Sequence, residues 1–468
     1  MFAPMIRLLI LLLAASTLFA RGPVYVLLWF DTEDYIDPAA DDAALRIAND
    51  LSSLGIHATF KVVGEKARVL EARKRQDVIQ ALRKHTIGYH SNWHSVHPTP
   101  SEYLREFGYV EGVAEFERRE APGIADIKRI FGVLPVCYGQ PGSSWGPQSE
   151  SALRSMGVPV YLDEGEQVGL NDEPFWYGGL LHVFHMGKNQ LRADLKEGAD
   201  MQTAYARFDE AAARLAAGSG GVISIYYHPT EFVNIEFWDA VNFAKGAMPP
   251  RRDWRPPHPR TKEDAARCYR VLHDYAQHMT RVPGVKFVTA ADLPKLYQPA
   301  IAGSDLPEKK LAADQLRREI VFLESGNHTY SPADLLLQLL GLPPQVVDGP
   351  TAATKSSWAE LNIPDYLFEA ARKDAMAFIQ RNHRLPNQVF LGAKTLSLED
   401  FAATLASTIA FPEKGIPVVR GTIGFNKYFS TDARGAFSWP IHPTGFAAPE
   451  LLAMGRLQGW TLKPARLR

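Results

Sequence analysis

The sequence predicts an α/β chain: a distorted (β/α) barrel of about seven strands, followed by a smaller, mainly helical C-terminal region. Three observations carry this expectation. From residue 23 to 298, short apolar runs alternate with longer stretches of helical periodicity, as in a parallel sheet whose strands are buried on both faces. Seven or so such units suggest a barrel. Polar, chemically capable residues also recur just past the C-terminal ends of the apolar runs, on the rim where such barrels place their active sites.

The elements follow in order. Residues 24–30 are almost wholly apolar and read as a buried strand. Residues 43–54 have helical periodicity, with Asp41 and Asp42 at the start and Gly55 placed to end the helix. Strand 58–63 precedes a helical stretch at 68–83, which reads as two pieces, and then a short strand at 86–89. Residues 102–131 are mainly helical despite Pro122-Gly123 inside them. Further strands are expected at 136–138, 158–162, 181–184 and 222–227, with helices at 149–156, 201–217 and 262–279. Strand 285–288 and helix 290–296 close the unit. Residues 229–261 break this rhythm with proline, arginine and the aromatics Phe232, Phe237, Trp238, Phe243 and Trp254. A long connection of that makeup reads as an ordered cleft wall.

The domain plan is an export signal at 1–20, the barrel at 22–298, a linker at 299–315 and an accessory region at 316–468. In the first segment Arg7 precedes an apolar run, small residues follow, and Arg21-Gly22-Pro23 breaks it. The run is shorter than the roughly 20 apolar residues a spanning helix needs. Cleavage after Ala20, a secreted or periplasmic protein and no membrane span after signal removal are the expectations. The accessory region carries an internal echo: Thr329-Tyr-Ser-Pro-Ala-Asp-Leu335 resembles Thr395-Leu-Ser-Leu-Glu-Asp-Phe401. In each, a serine is placed to cap an apolar helix whose first turn holds an acidic residue.

Composition narrows the function. The chain has 468 residues, 46% hydrophobic and 22% charged, with a formal net charge of −1. A near-neutral chain without a long basic run has no general attraction for polyanions, so no nucleic-acid partner is expected. Two cysteines, Cys137 and Cys268, outside any CxxC pair, are no disulfide scaffold.

The chemistry gathers at the strand ends. Asp31, Glu33 and Asp34 follow strand 24–30, and His90 and His94 follow strand 86–89. Gln140 follows 136–138, Asp163 follows 158–162 and His228 follows 222–227. The sharpest signal is His90-Ser-Asn-Trp-His94, because two imidazoles four residues apart can face one way and chelate a divalent cation. With a carboxylate from a neighbouring strand end they would form a two-His, one-carboxylate site with positions left open for water.

At this point the sequence resembles a known family. Phe30-Asp-Thr-Glu-Asp34, Ala58-Thr-Phe-Lys-Val-Val-Gly64, Ile87-Gly-Tyr-His-Ser-Asn-Trp-His94 and Tyr227-His-Pro229 are similar, in order and spacing, to motifs of the polysaccharide deacetylases, the NodB-homology enzymes of carbohydrate esterase family four. The resemblance covers residues 23–298. It implies Asp31 as general base, His90 and His94 as metal ligands, and His228 as general acid. It leaves the third ligand open between Glu33 and Asp34, with Glu33 preferred. Asp163 would be the carboxylate that orients the acid histidine. The cofactor implied is a divalent metal of the zinc type, and the partner a polysaccharide substrate. Gln140, Trp145, Trp176 and Tyr177 are the candidate substrate-binding residues, with Trp93 and Trp238 as further possible platforms for sugar rings. One departure stands out. The family often has an arginine that orients the base, and the matching position here holds Gly139.

Three functions follow. The first is removal of N- or O-acetyl groups from a cell-wall or extracellular polysaccharide by metal-activated water. The second keeps the site but hydrolyses a non-sugar amide. The third is a non-catalytic glycan-binding protein whose site is weakened by loss of the arginine.

Overall fold

The computed structural model describes residues 22–301, 306–412 and 416–468. The expected export signal lies outside the described residues, as does part of the expected linker.

The nine strands of the first region are β1 (Val24–Thr32), β2 (Thr59–Val62), β3 (Thr86–Tyr89), β4 (Cys137–Tyr138), β5 (Val160–Leu162), β6 (Phe175–Tyr177), β7 (Leu180–Val183), β8 (Gly221–Tyr227) and β9 (Val285–Val288). Seven of them form a parallel run in the order β7-β5-β4-β3-β2-β1-β8. β8 meets the segment after β7 at one parallel bridge, Gln190 to Ser224, where Leu191 N–H donates to the Ser224 carbonyl at 2.9 Å. That narrow contact is where the curled sheet comes round on itself. The architecture is therefore the distorted (β/α) barrel the sequence predicts.

β1 pairs with three other strands. One edge pairs along its length with β8. The other is shared, with β9 taking Val24–Leu27 and β2 taking Trp29–Thr32. Every β1 residue except Tyr25 is buried, which accounts for its unbroken apolar run. Helices connect the parallel strands. Pro38–Ser53 starts on Asp37, whose side chain accepts the Ala39 N–H, and is followed by Gly55 at φ +70°. The stretch after β2 does divide in two, into Gly64–Ala72 and Gln76–Leu82. Tyr109–Phe131 runs through Pro122 and ends on left-handed Gly132.

The C-terminal region is less separate than expected. A helix at Lys309–Arg318 begins inside the expected linker and buries Ala312, Ala313 and Gln315. One continuous apolar core holds barrel residues such as Phe30 and Phe60 together with Leu316, Leu335, Phe401 and Trp460. A short strand, β14 (Lys463–Pro464), adds antiparallel to β6 and so joins the barrel sheet itself.

The two echo segments lie in the same succession of elements. In the first, helix Lys309–Arg318, hairpin β10 (Leu323–Ser325)/β11 (His328–Tyr330) and helix Pro332–Leu340 follow one another. In the second they are helix Asp365–Asn382, hairpin β12 (Gln388–Leu391)/β13 (Lys394–Ser397) and helix Leu398–Ala410. Each hairpin turns on a glycine of positive φ, Gly326 at +60° and Gly392 at +63°, a conformation that suits a two-residue turn. Ser331 and Ser397 accept the N–H of Asp334 and Asp400.

Candidate active site

The parallel strands deliver their C-terminal ends to one rim. Asp31 lies near the end of β1 and Glu33 just beyond it. Lys61 projects from β2, and His90 and His94 lie on the loop after β3. Gly139 and Gln140 follow β4, Asp163 follows β5 and His228 follows β8. Asp31, Glu33, His90, His94, Gln140, Asp163 and His228 line one cavity of about 640 Å³.

The histidine loop is held tightly. Ser91 and His94 both adopt left-handed backbone, at φ +64° and +57°, a conformation that persists in non-glycine residues only where surroundings enforce it. Here the Ser91 hydroxyl accepts the His94 N–H at 2.9 Å, and the buried Glu120 carboxylate accepts the Asn92 N–H at 2.8 Å. The two imidazoles meet as a result, Nε2 to Nε2 at 3.2 Å. Glu33 Oε2 lies 2.9 Å from His94 Nε2 and 3.4 Å from His90 Nε2. Three ligand atoms thus converge on one point, all on buried side chains.

This donor set fits a divalent cation. The Nδ1 atoms of both rings have other partners, the Gly139 carbonyl at 3.0 Å and the Ser95 hydroxyl at 2.6 Å. An Nδ1–H donated to the Gly139 carbonyl leaves the His90 Nε2 lone pair free for a metal. Glu33 Oε1 accepts the Trp238 indole N–H at 3.1 Å, which leaves Oε2 for the centre. Burial lowers His90, favouring its neutral form. Burial alone would raise Glu33, but the charges of His94 and His228 and the imidazole hydrogen bonds hold it well below the usual carboxylate range.

Beside this centre sits a second cluster, around a cation the sequence reading missed. Lys61 is fully buried, with Nζ 2.9 Å from Asp31 Oδ1, 2.6 Å from Asp163 Oδ2 and 2.8 Å from the Leu162 carbonyl. Burial would lower this ammonium, but Asp163 and Asp31 outweigh it and raise it. Burial pushes Asp163 upward, opposed by Lys61. Gly139 is needed for this arrangement, because a Cβ there would run into Lys61 Nζ and Asp163 Oδ2. The signal was present in Ala58-Thr-Phe-Lys-Val-Val-Gly64, since a lysine within a buried apolar strand requires a charged partner.

Asp163 thus lies against Lys61, and the partner of His228 is a different acid. Glu231, another missed residue, sits on the first turn after β8, with Oε1 2.8 Å from His228 Nδ1. Its Oε2 pairs with Arg192 at 2.5 Å. His228 Nε2 faces Asp31 Oδ2 at 3.6 Å. Burial alone would lower His228, yet Glu33, Glu231 and Asp31 together raise it to about 9.

Other expectations need correction. Asp34 is not at the centre. Its Oδ1 accepts the N–H groups of Ile36 and Asp37, and its Oδ2 accepts the Thr230 hydroxyl, so it fastens a turn. Burial raises it to about 6. Of the two acids, Glu33 is the one that reaches both imidazoles.

Trp145, Trp176 and Tyr177 are not cavity platforms. Trp145 is 1% exposed and packs against Gly455. Tyr177 is buried and donates its hydroxyl to the Gly455 carbonyl, and Trp176 lies in β6 opposite Lys463 of the neighbouring strand β14. All three pack where the C-terminal region covers the barrel. Trp238 is likewise buried, whereas Trp93 is 40% exposed beside Arg68. Gln140 does line the cavity, but both ends of its amide are committed, accepting from Tyr161 and donating to the Gly142 carbonyl. The aromatic rings at the cavity are Tyr226, Phe237 and Trp439.

No family model matches the chain, and no curated protein matches it. Among solved structures it is similar to a protein described as a polysaccharide deacetylase from Mycobacterium smegmatis, at 16% identity over 58% of this chain and 92% of the other, with a TM-score of 0.37. A peptidoglycan deacetylase, PdaC, from Bacillus subtilis aligns at 14% identity over 58% and 91%, with a TM-score of 0.29. A 4-alpha-glucanotransferase from Thermococcus litoralis aligns at 10% identity over 59% and 41%, with a TM-score of 0.41. All three scores lie below 0.5, so the functional reading rests on the geometry of the site.

Proposed function

We propose that this protein is a metal-dependent hydrolase that removes acetyl groups, N-linked or O-linked, from a polysaccharide. The observation that carries the proposal is the convergence of Glu33, His90 and His94 on one point, with Asp31 and His228 facing each other at its edge. A divalent cation held there would supply Lewis-acid polarisation of an acyl carbonyl and make a nucleophilic water available near neutrality.

The chain's own groups supply the proton transfers. Asp31 is buried, with Oδ1 paired to Lys61 Nζ and Oδ2 turned toward His228, and is placed to take a proton from the attacking water. His228, raised to about 9, is protonated near neutrality and can deliver a proton to the leaving nitrogen or oxygen. Glu231 at its Nδ1 fixes the ring so that Nε2 faces the reacting centre. Each such acid–base role is worth on the order of 10²–10⁴ in rate. The binding-only alternative drew on the uncharged Gly139. Lys61 places a cation in that space, which removes its motivation.

The test is acetate release from a panel of acetylated glycans, with and without a chelator. The expected result is chelator-sensitive release that returns on adding zinc. A protein that binds no divalent cation and releases no acetate from any member would refute the proposal.

A further inference from the structure

We infer that Trp439, carried into the catalytic cavity by the C-terminal region, is a specificity-determining wall that stacks on a pyranose ring of the substrate, and that the ring admitted there bears no anionic group. The inference rests on the hydrolase reading above and adds the substrate class that its cavity takes.

The chain from Gly435 to Pro440 contributes Gly435, Ala436, Ser438, Trp439 and Pro440 to the lining of the cavity that holds Glu33, His90 and His94. Trp439 is the large side chain among them, and it is fixed on several sides. Its indole N–H donates to Asp239 Oδ2 at 2.9 Å, and its backbone N–H donates to the Ser143 hydroxyl at 3.0 Å. Its ring stands edge-on to His94, centroids 5.2 Å apart at 88°. It also covers Gly142, where a Cβ would run into the indole. Gly142 has φ +50°, so the turn after β4 is shaped to receive this ring. A tryptophan braced in this way but still lining a cavity presents a preorganised apolar face. Phe237 plays the corresponding part at the other histidine, standing edge-on to His228 at 4.9 Å and 89°. One aromatic ring therefore stands beside each end of the reacting centre, a setting suited to the apolar C–H face of a sugar ring.

Charge narrows the class. The cavity is lined by the carboxylates of Asp31, Glu33, Asp163, Glu164, Glu166 and Asp239, and among the described residues no lysine or arginine lines it. Counted as formal charges, these six acids exceed a divalent cation, a protonated His228 and the buried Lys61 by two, and because burial raises Asp163 and Asp239 the excess is fullest at alkaline pH. A neutral N-acetylated or O-acetylated sugar meets no penalty there. A uronate or a sulfated sugar meets repulsion in a partly desolvated site.

The experiment uses the full-length protein and its W439A and W439F variants. The probes are a chitin tetrasaccharide and a hyaluronan tetrasaccharide, which alternates N-acetylglucosamine with uronate. For W439A on the chitin oligomer, KM should rise about tenfold with kcat within about threefold, and W439F should recover most of the loss. Calorimetric titration of metal-free protein with the same oligomer should show a matching weakening, and zinc affinity should be unchanged. The hyaluronan oligomer should be at least about tenfold poorer by kcat/KM, with a gap that narrows at high salt. An unchanged Kd and KM in W439A overturns the Trp439 assignment, as does a loss confined to kcat or to zinc affinity, which would mean the ring only steadies His94. Equal efficiency on the two oligomers overturns the charge argument. If the unsubstituted protein turns over neither oligomer, the fate of the hydrolase reading is left to the glycan panel, and calorimetric comparison of the variants and of the two oligomers still decides Trp439 and the charge argument.

Discussion

Replacing Lys61 by methionine removes an ammonium that pairs with both Asp31 and Asp163 and leaves Asp31 facing His228 at 3.6 Å, while keeping most of the side-chain volume. In the native protein that ammonium touches both carboxylates, at 2.9 and 2.6 Å, and is fully buried. Removing one member of a buried ion cluster costs about 3–5 kcal/mol, because the charges left behind are buried and have lost that partner. The cost has a definite pH dependence. Lys61 opposes the upward push of burial on Asp163, so the variant binds a proton there more readily. A group with a raised folded pKa contributes most at low pH and loses that contribution as pH rises through the raised value. The K61M variant should therefore lie closest to the parent in acid and fall furthest behind in alkali. Turnover should drop on the order of 10²–10⁴, the worth of a correctly charged and oriented base. Denaturant unfolding across pH 5–9 and acetate release at neutral pH measure the two effects. Unchanged stability together with turnover within threefold of the parent would refute the reasoning, since Lys61 would then be no more than filler.

Other outcomes follow from the same geometry. E33Q and H94A should each reduce zinc affinity by more than the 10–100-fold typical for an outer partner, whereas D34N should leave it unchanged and cost about 1 kcal/mol of stability through its turn; competition with a chromophoric chelator measures both. W238F, which removes the indole donor to Glu33 Oε1, should weaken zinc binding within that 10–100-fold range. E231Q removes a carboxylate that helps raise His228, so the alkaline limb of kcat/KM should move to lower pH; a limb that stays in place would mean another group titrates there. S331A and S397A should each lower stability by about 0.5–2 kcal/mol as lost helix caps, and a thermal melt reads either one.

The parts of this protein legible in its sequence are those fixed by local pattern. The run at 24–30 announced a buried strand because a strand covered on both faces admits no polar residue, and β1 is buried along nearly its whole length. His90 and His94 were legible because their spacing is itself the chemical signal. Glu33 and Asp34 were not separable, since which of two adjacent side chains faces the rim depends on the register in which β1 leaves the sheet. The substrate platforms were misassigned for a different reason. A tryptophan's sequence neighbours do not reveal what another part of the chain will pack against it: β14 pairs beside Trp176 in the sheet, and the helix bearing Gly455 packs against Trp145 and Tyr177. The same long-range packing brings Trp439 to the cavity, from about three hundred residues beyond the turn it covers.

Gly139 and Lys61 show how two local departures become one device when the fold brings them together. Alone, a glycine where a cation was expected reads as loss, and a lysine in an apolar strand reads as an anomaly. β2 and β4 lie on either side of β3 in the sheet, and the space left by the absent Gly139 side chain is the space that Lys61 Nζ fills. The two positions are consequently coupled. A side chain at Gly139 in the otherwise unchanged protein must displace the ammonium, separate it from Asp163 and leave two buried acids facing each other. A basic side chain at Gly139 is acceptable only if Lys61 is shortened at the same time, so that one positive charge remains and the volume is conserved. G139R alone should therefore fold poorly, and K61A/G139R should recover stability and part of the turnover lost in K61A. Two substitutions whose effects simply add would show that the ammonium and the glycine share nothing but proximity.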